Sequence, residues 1–302
     1  MALLDRAIVR VLPAVPRPVV KRLSARYIAG PGLADACRVV AELNGESKMA
    51  TIDVLGEEIT TREESTALLA EYEDVFETIE RERLDSNVSV KLTGLGLKLD
   101  RAFCRDNIAT LVRDAAGRGN FVRIDMEDSS TTEDTLDIYR ELRGEGLDNV
   151  GVVLQAYMKR TLADIASLAG LKPNVRVCKG IYVEPADVAY QEFETVRLNF
   201  VEAVEALLDA GAYVAVATHD DWVQGEVLTL LEERRLAPEA YEFQMLLGVR
   251  RELGEELVRE GHRLRIYVPF GRQWYEYSLR RLQENPKIAG YIALDTLKRL
   301  KP

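Results

Sequence analysis

An α/β fold, a distorted (βα)8 TIM barrel, is predicted by three observations on the sequence. Short apolar β-rich runs number eight, each is followed by a helical pattern, and all of them fall between residues 50 and 271. The runs are ATIDVLG (50–56), NVSVKLTG (87–94), NFVRIDME (120–127) and NVGVVLQAY (149–157), then NVRVCKGIY (174–182), AYVAVATHD (212–220), AYEFQML (240–246) and RLRIYVPFG (263–271). Their Val, Ile and Leu content suits strands covered on both faces. A doubly wound sheet would alternate too. Its dinucleotide fingerprint is incomplete, however, because GLGLKL (94–99) has Gly94 and Gly96 and then Leu99 in place of a third glycine.

The segments between the runs carry helix punctuation. Thr61 and Glu64 form a capping-box pattern ahead of TALLAEYEDVFETIERE, because each side chain can satisfy the other's backbone N–H. A helical stretch from Asp134 to Arg143 stops at Gly144, LADIASLAG stops at Gly170, and VRLNFVEAVEALLDAG stops at Gly211. Residues 1–45 read as an N-terminal helical arm, with LADACRVVAELNG (33–45) its clearest piece, and residues 46–302 as the barrel.

Composition narrows the function. The 302 residues carry 47% hydrophobic and 30% charged side chains, the balance of a globular protein with a full core. A net charge of −10 excludes general nucleic-acid binding, which needs a basic face to displace phosphate counterions. Three scattered cysteines (Cys37, Cys104, Cys178) imply no disulfide framework, and with only His219 and His262 no zinc or other metal cluster is expected. Cytoplasm is the natural compartment. The first thirty residues are basic, with Arg6, Arg10, Arg17, Lys21, Arg22 and Arg26 against Asp5. Because these cations run through the apolar residues, a cleavable signal fits poorly, leaving an arm packed on the acidic body or a peripheral membrane contact.

Barrel enzymes place their chemistry at the C-terminal ends of the strands. Here those ends supply Glu57 and Glu58; Lys91; Asp125 and Glu127; Gln155 and Tyr157; Arg176, Lys179 and Tyr182; Thr218 and His219; Gln244; and Tyr267. A strand-end Lys and Asp can simply neutralise each other, and a single Gln, Thr or His often serves only backbone hydrogen bonding. Polar groups at all eight ends exceed what structure alone requires. No nucleophile elbow or Ser–His–Asp pattern supports acyl transfer. A Schiff base on Lys91 or Lys179 in an aldolase-like barrel is the alternative that composition leaves open. Near the C-terminus, YEYSLRRLQEN (275–285) pairs Glu276 with Arg280, Arg280 with Glu284 and Tyr277 with Arg281 at i,i+4. That suits a solvated salt-bridged helix, but two arginines with Lys91 also suit a carboxylate or phosphate ligand.

Nine motifs in order then give the chain a recognisable pattern: DVLGE (53–57), SVKLT (89–93), RIDMED (123–128), LQAY (154–157), RVCKGIY (176–182), ATHD (217–220), FQMLLG (243–248), YVPFG (267–271) and YSLRRLQEN (277–285). Together they resemble the proline dehydrogenase family, FAD-dependent enzymes of proline catabolism. The resemblance implies a barrel whose last helix lies over the mouth, with FAD at the strand C-terminal ends. It implies that Arg280 and Arg281, with Lys91, bind the carboxylate of L-proline, that Tyr182, Leu246, Tyr267 and Tyr277 line the ring site, and that Glu57 pairs with the first arginine as a gate. Asp125 and Arg176 become active-site residues, the former positioning Lys91 and the latter lying near flavin N5. Met126, Gln155, Lys179, Gly180, Ile181, Thr218 and His219 become flavin contacts. Cys178, Ile181 and Leu247 occupy positions that vary in such motifs. The implied reaction moves a hydride from proline C5 to flavin N5, yields Δ1-pyrroline-5-carboxylate and passes electrons to a quinone, as the first step of proline degradation to glutamate. A quinone acceptor gives the basic N-terminal segment a reason to touch the inner face of a membrane.

Overall fold

The structure, a computed structural model, describes residues 26–56, 59–275 and 278. Eight parallel strands close a barrel in chain order: β1 (Met49–Val54), β2 (Ser86–Val90), β3 (Val122–Ile124), β4 (Val150–Gln155), β5 (Asn174–Cys178), β6 (Tyr213–Ala217), β7 (Tyr241–Leu246) and β8 (Leu264–Phe270). Closure is made by β1 against β8, in register from Met49 opposite Arg265 to Val54 opposite Phe270. Between them run helices α2 (Arg62–Glu82), α3 (Arg101–Gly117), α4 (Thr132–Gly144), α5 (Thr161–Leu168), α6 (Phe193–Asp209), α7 (Asp221–Glu233) and α8 (Arg251–Arg259). A preceding helix, α1 (Leu33–Gly45), packs on the outer face of β1 and β8. The expected last helix over the mouth falls outside the described residues.

Each strand of the expected pattern is present, and all but β7, which ends at Leu246 as expected, are trimmed at the C-terminal end where the chain turns into a loop. The expected capping box is formed: Thr61 Oγ1 accepts from Glu64 N at 3.2 Å while Glu64 Oε2 accepts from Thr61 N at 3.1 Å. Asp100 and Asp220 cap α3 and α7 by accepting backbone N–H bonds from Ala102 and Phe103, and from Trp222 and Val223. Such caps satisfy donors that the first helical turn leaves without partners.

Alternation within the strands divides the molecule into two chemistries. Residues such as Ile52, Val90, Ile124, Val152, Val177, Val216, Phe243 and Val268 point outward and pack under the helices, all of them buried. Their neighbours in sequence point into the lumen, and they are mostly polar: Thr51, Asp53, Ser89, Arg123, Asp125, Gln155, Arg176, Glu242, Gln244 and Arg265, also buried. Barrels of this class usually fill the lumen with branched apolar side chains. This one fills it with ion pairs and hydrogen bonds.

The floor of the lumen is built around two arginines. Arg265 donates to Glu242 Oε1 at 2.9 Å and to the Ala50 carbonyl at 2.7 Å, and Tyr213 donates to Glu242 Oε2 at 3.0 Å. Arg123 donates to the carbonyls of Asn174 (2.8 Å) and Val152 (3.1 Å), with its guanidinium 5.0 Å from the Phe121 ring. Burial, with Arg176 adding repulsion, pushes the Arg123 guanidinium down to about 9. Gly151 makes room for it: a Cβ there would press on Arg123 and stand 2.6 Å from the Asn174 carbonyl oxygen. Gly151→Ala should therefore cost about 1–3 kcal/mol in urea unfolding by overpacking. Gly144→Ala, where an added Cβ meets nothing, should stay within about 0.5 kcal/mol of the parent.

Candidate active site

Above the floor, toward the C-terminal ends of the strands, four lumen side chains converge on one carboxylate. Asp125 Oδ1 accepts from Arg176 Nη1 at 2.5 Å and from Ser89 Oγ at 2.6 Å. Its Oδ2 accepts from the Tyr267 hydroxyl at 2.9 Å and lies 3.6 Å from Lys91 Nζ. Lys91 in turn pairs with Asp53 at 3.0 Å and reaches the Tyr267 hydroxyl at 3.4 Å. Burial pushes the Asp125 carboxyl up, but Arg176 and Lys91, with hydrogen bonds from Ser89 and Tyr267, prevail and hold it below the usual carboxylate range.

These groups sit on β1, β2, β3, β5 and β8, so only closure of the barrel makes them neighbours. Arg176 is held from three sides, since Nε donates to Gln244 Oε1 at 2.5 Å and Nη2 reaches Ser89 Oγ at 3.3 Å. Its guanidinium lies 5.4 Å from the centre of the Tyr267 ring. The result is a rigid polar wall in which Lys91 and Tyr267 stand nearest the mouth.

A second group lines the β4–β7 side. Gln155 is buried and spends its amide N–H on the carbonyls of Met126 and Glu127, leaving Oε1 buried with no hydrogen-bond partner. Gly180 has φ of +102°, and a Cβ there would collide with the Tyr157 ring, so glycine is required where the chain leaves β5. Thr218 Oγ1 accepts from Asp220 N at 3.1 Å. His219 Nε2 accepts from Leu246 N at 2.9 Å, which leaves the neutral ring's proton on Nδ1. Leu246 itself is half-buried at the end of β7, Tyr182 is half-buried beyond β5, and Ile181 is exposed.

Lys179 is not a lone cation. Its ammonium pairs with Asp220, whose carboxylate also accepts from Arg197 Nε (2.8 Å) and Nη2 (2.9 Å). Burial opposes ionisation of Asp220, but the hydrogen bonds from Arg197 and Lys179 hold it well below the usual range. Both cations lie 4.4 Å from the Phe193 ring, which is 55% exposed and so offers a charged aromatic ledge at the rim.

Of the expected site residues, Lys91, Asp125, Arg176 and Tyr267 form one connected cluster, and Met126, Gln155, Lys179, Gly180, Thr218 and His219 surround it by strand position. Glu57, Tyr277, Arg280 and Arg281 lie outside the described residues. Glu127 belongs elsewhere, accepting from Thr93 N (3.0 Å) and Thr93 Oγ1 (2.5 Å). Asp53, Ser89, Glu242 and Arg265 were not expected in the lumen. Asp53 could have been noticed as an acid inside an otherwise uncharged buried strand.

His219 carries a pH consequence. Burial, with Arg250 adding, pushes its imidazole down to about 4 from an unfolded value near 6.5. The unfolded chain therefore binds the proton more readily than the folded one between those values. Stability is whole above pH 6.5 and declines as pH falls toward 4, by up to about 1.4 kcal/mol per pH unit for this one group. Urea unfolding from pH 7 to 4.5 should show that slope in the parent and a flatter one in His219→Gln.

Comparison with known proteins finds relatives along most of the chain. The sequence pattern of the family described as proline dehydrogenase matches residues 36–293. Proline dehydrogenase 1 of Bacillus subtilis (strain 168) is 38% identical over 279 residues, covering 92% of this chain and 92% of its own. Proline dehydrogenase of Deinococcus radiodurans is 36% identical over 300 residues, covering 95% and 97% respectively. Among solved structures, proline utilization A from Bdellovibrio bacteriovorus, inactivated by N-propargylglycine, superposes with a TM-score of 0.83 at 23% identity. That match covers 92% of this chain and 36% of the other, and it speaks for the fold.

Proposed function

The chain belongs to the proline dehydrogenase family, and from that premise we propose that it oxidises L-proline to Δ1-pyrroline-5-carboxylate using FAD, with a quinone as final acceptor. The observation that carries this reading is the Asp125-centred cluster, which holds one ammonium (Lys91) and one phenol (Tyr267) side by side at the mouth end of a closed polar lumen. A small zwitterion with an anionic carboxylate and an apolar ring suits that pairing.

In the reaction C5 loses a hydride, the ring nitrogen loses a proton, and a C5=N bond forms. FAD, when bound, supplies the two-electron acceptor for that hydride. Lys91, together with Arg280 and Arg281, anchors the substrate carboxylate. Tyr267, Tyr277, Leu246 and Tyr182 confine the ring, and Glu57 closes over it by pairing with Arg280. Asp125 keeps Lys91 and Tyr267 in place, and Arg176 holds Asp125.

The residues present fit a flavin. Gln155 Oε1 is a buried acceptor that needs a donor, and a neutral His219 offers a proton on Nδ1 to a carbonyl edge. Lys179, Gly180, Ile181, Thr218 and Met126 frame the same side of the mouth, with cation and backbone groups suited to a diphosphate. The Schiff-base alternative finds less support: Lys91 is paired with two carboxylates and Lys179 with Asp220, so each nitrogen is engaged as a donor, whereas carbonyl attack needs a free amine.

Among the described residues no helix is long and apolar enough to cross a membrane. Contact with a membrane-borne quinone is assigned to the basic first thirty residues of the N-terminal arm (residues 1–45), the alternative being an arm packed on the acidic body, and catalysis to the barrel, residues 46–302.

Purified protein should be yellow, and L-proline added without oxygen should bleach the flavin band; a colourless protein indifferent to FAD would remove the proposal. Arg281→Met should retain flavin and raise KM for proline by at least about tenfold, since a charge-paired contact contributes about 2–4 kcal/mol. An unchanged KM would remove the carboxylate assignment. In liposome flotation with anionic vesicles, full-length protein should float and a chain beginning at residue 26 should not. Equal recovery would leave the arm as packing only.

A further inference from the structure

The cluster at the mouth is joined to the barrel floor through one side chain. Gln244 donates from Nε2 to Glu242 Oε1 at 2.5 Å and accepts at Oε1 from Arg176 Nε, also at 2.5 Å. Both contacts are buried, as are all three residues. We propose that Glu242 and Gln244 are positioning residues for the reaction: the ionised Glu242 sets which way the Gln244 amide faces, and that orientation holds the Arg176 guanidinium against Asp125. The assignment rests on the proline-oxidising function proposed above.

An amide is ambiguous by shape, because its oxygen and nitrogen ends are nearly the same size. Turned one way, Gln244 would present an N–H to Arg176, donor against donor. A carboxylate on the far side removes the ambiguity, since it accepts only. Glu242 is fixed in that role by Arg265 at 2.9 Å and Tyr213 at 3.0 Å. Burial pushes its carboxyl up, but Arg265 and the Gln244 hydrogen bond bring it down to about 2, so it stays an acceptor through the physiological range. The order of dependence then runs upward through the lumen. Arg265 holds Glu242, Glu242 orients Gln244, Gln244 holds Arg176, and Arg176 holds Asp125, to which Lys91 and Tyr267 are bound. Each side chain along this path has its rotamer set by the one beneath it. The two groups that face the substrate therefore take their position from a carboxylate that never touches it.

An exchange of the two side chains separates positioning from mere filling of the lumen. Gln244→Leu keeps the size and the charge but removes both hydrogen bonds. Glu242→Gln alone leaves two amides with no anion to orient them. The double exchange, Glu242→Gln with Gln244→Glu, restores one carboxylate and one amide in the same path, with the anion now directly on Arg176. The holoenzymes should be compared by proline turnover, by thermal unfolding and by NMR of arginine labelled with nitrogen-15. Gln244→Leu and Glu242→Gln should each lower kcat/KM about tenfold or more, and the exchange should return it to within about threefold of the parent. One exchange-protected arginine Nε–H signal present in the parent should vanish in Gln244→Leu and persist in the exchanged protein.

If folded Gln244→Leu keeps kcat/KM within about twofold of the parent and keeps that signal, losing only thermal stability, the proposal is overturned. It is overturned equally if the exchanged protein folds but is no more active than Glu242→Gln, and this arm decides the matter should Gln244→Leu fail to fold. A parent that does not oxidise proline would defeat the functional reading instead, and the arginine signals would still report whether the path holds Arg176.

Discussion

The ion pair between Arg176 and Asp125 is the constraint on which the rest of the lumen depends. It crosses from β5 to β3 inside the barrel, where neither charge can be stabilised by bulk water. Removing one partner of such a pair leaves a buried uncompensated charge, at a cost of about 3–5 kcal/mol. Every remaining hydrogen-bonding position on the two side chains must also be used. That demand explains why Ser89, Tyr267, Lys91 and Gln244 stand where they do, each meeting an atom of the pair or the charge beside it. A polar lumen of this kind is stable only when its network is nearly complete. Completeness also makes it rigid, which is what a site that must hold a small ring against an acceptor requires.

Strand alternation lets the molecule separate two tasks within a single run of residues. The outward positions bury apolar side chains against the helices and supply most of the hydrophobic stabilisation. The inward positions are then free to carry charge, since the core does not depend on them for apolar area. The rim follows the same economy with different means: Asp220 caps α7 and at once gathers Lys179 and Arg197 over the Phe193 ring. One carboxylate thereby ties the end of β6 to the loop after β5 and to α6.

Much of this could be read along the chain, because it rests on local rules. Eight apolar runs are strands, Thr61 and Glu64 cap a helix, and α1 spans Leu33 to Gly45 as its pattern implies. The strand-end inventory named Lys91, Asp125, Arg176, Gln244 and Tyr267, and the family resemblance gave roles to all of them but Gln244. The inward acids and bases below them were harder to read. Asp53, Glu242 and Arg265 lie in the middle of strands that look continuous in apolar character, and nothing local says which face of a strand will be a lumen.

What the sequence by itself determined is the fold class, the order of its elements, the family and the chemical types available at the strand ends, because period, capping and motif order are properties of neighbouring residues. Only the tertiary structure decided which of those groups meet. Ring closure brings β1 against β8 and sets Asp53, 38 positions from Lys91 and much farther from Tyr267 along the chain, beside both strands. It likewise places Gln244 within hydrogen-bonding reach of Arg176, 68 positions away. The strength and direction of a charge interaction depend on distance and burial in three dimensions, and neither is a function of sequence separation.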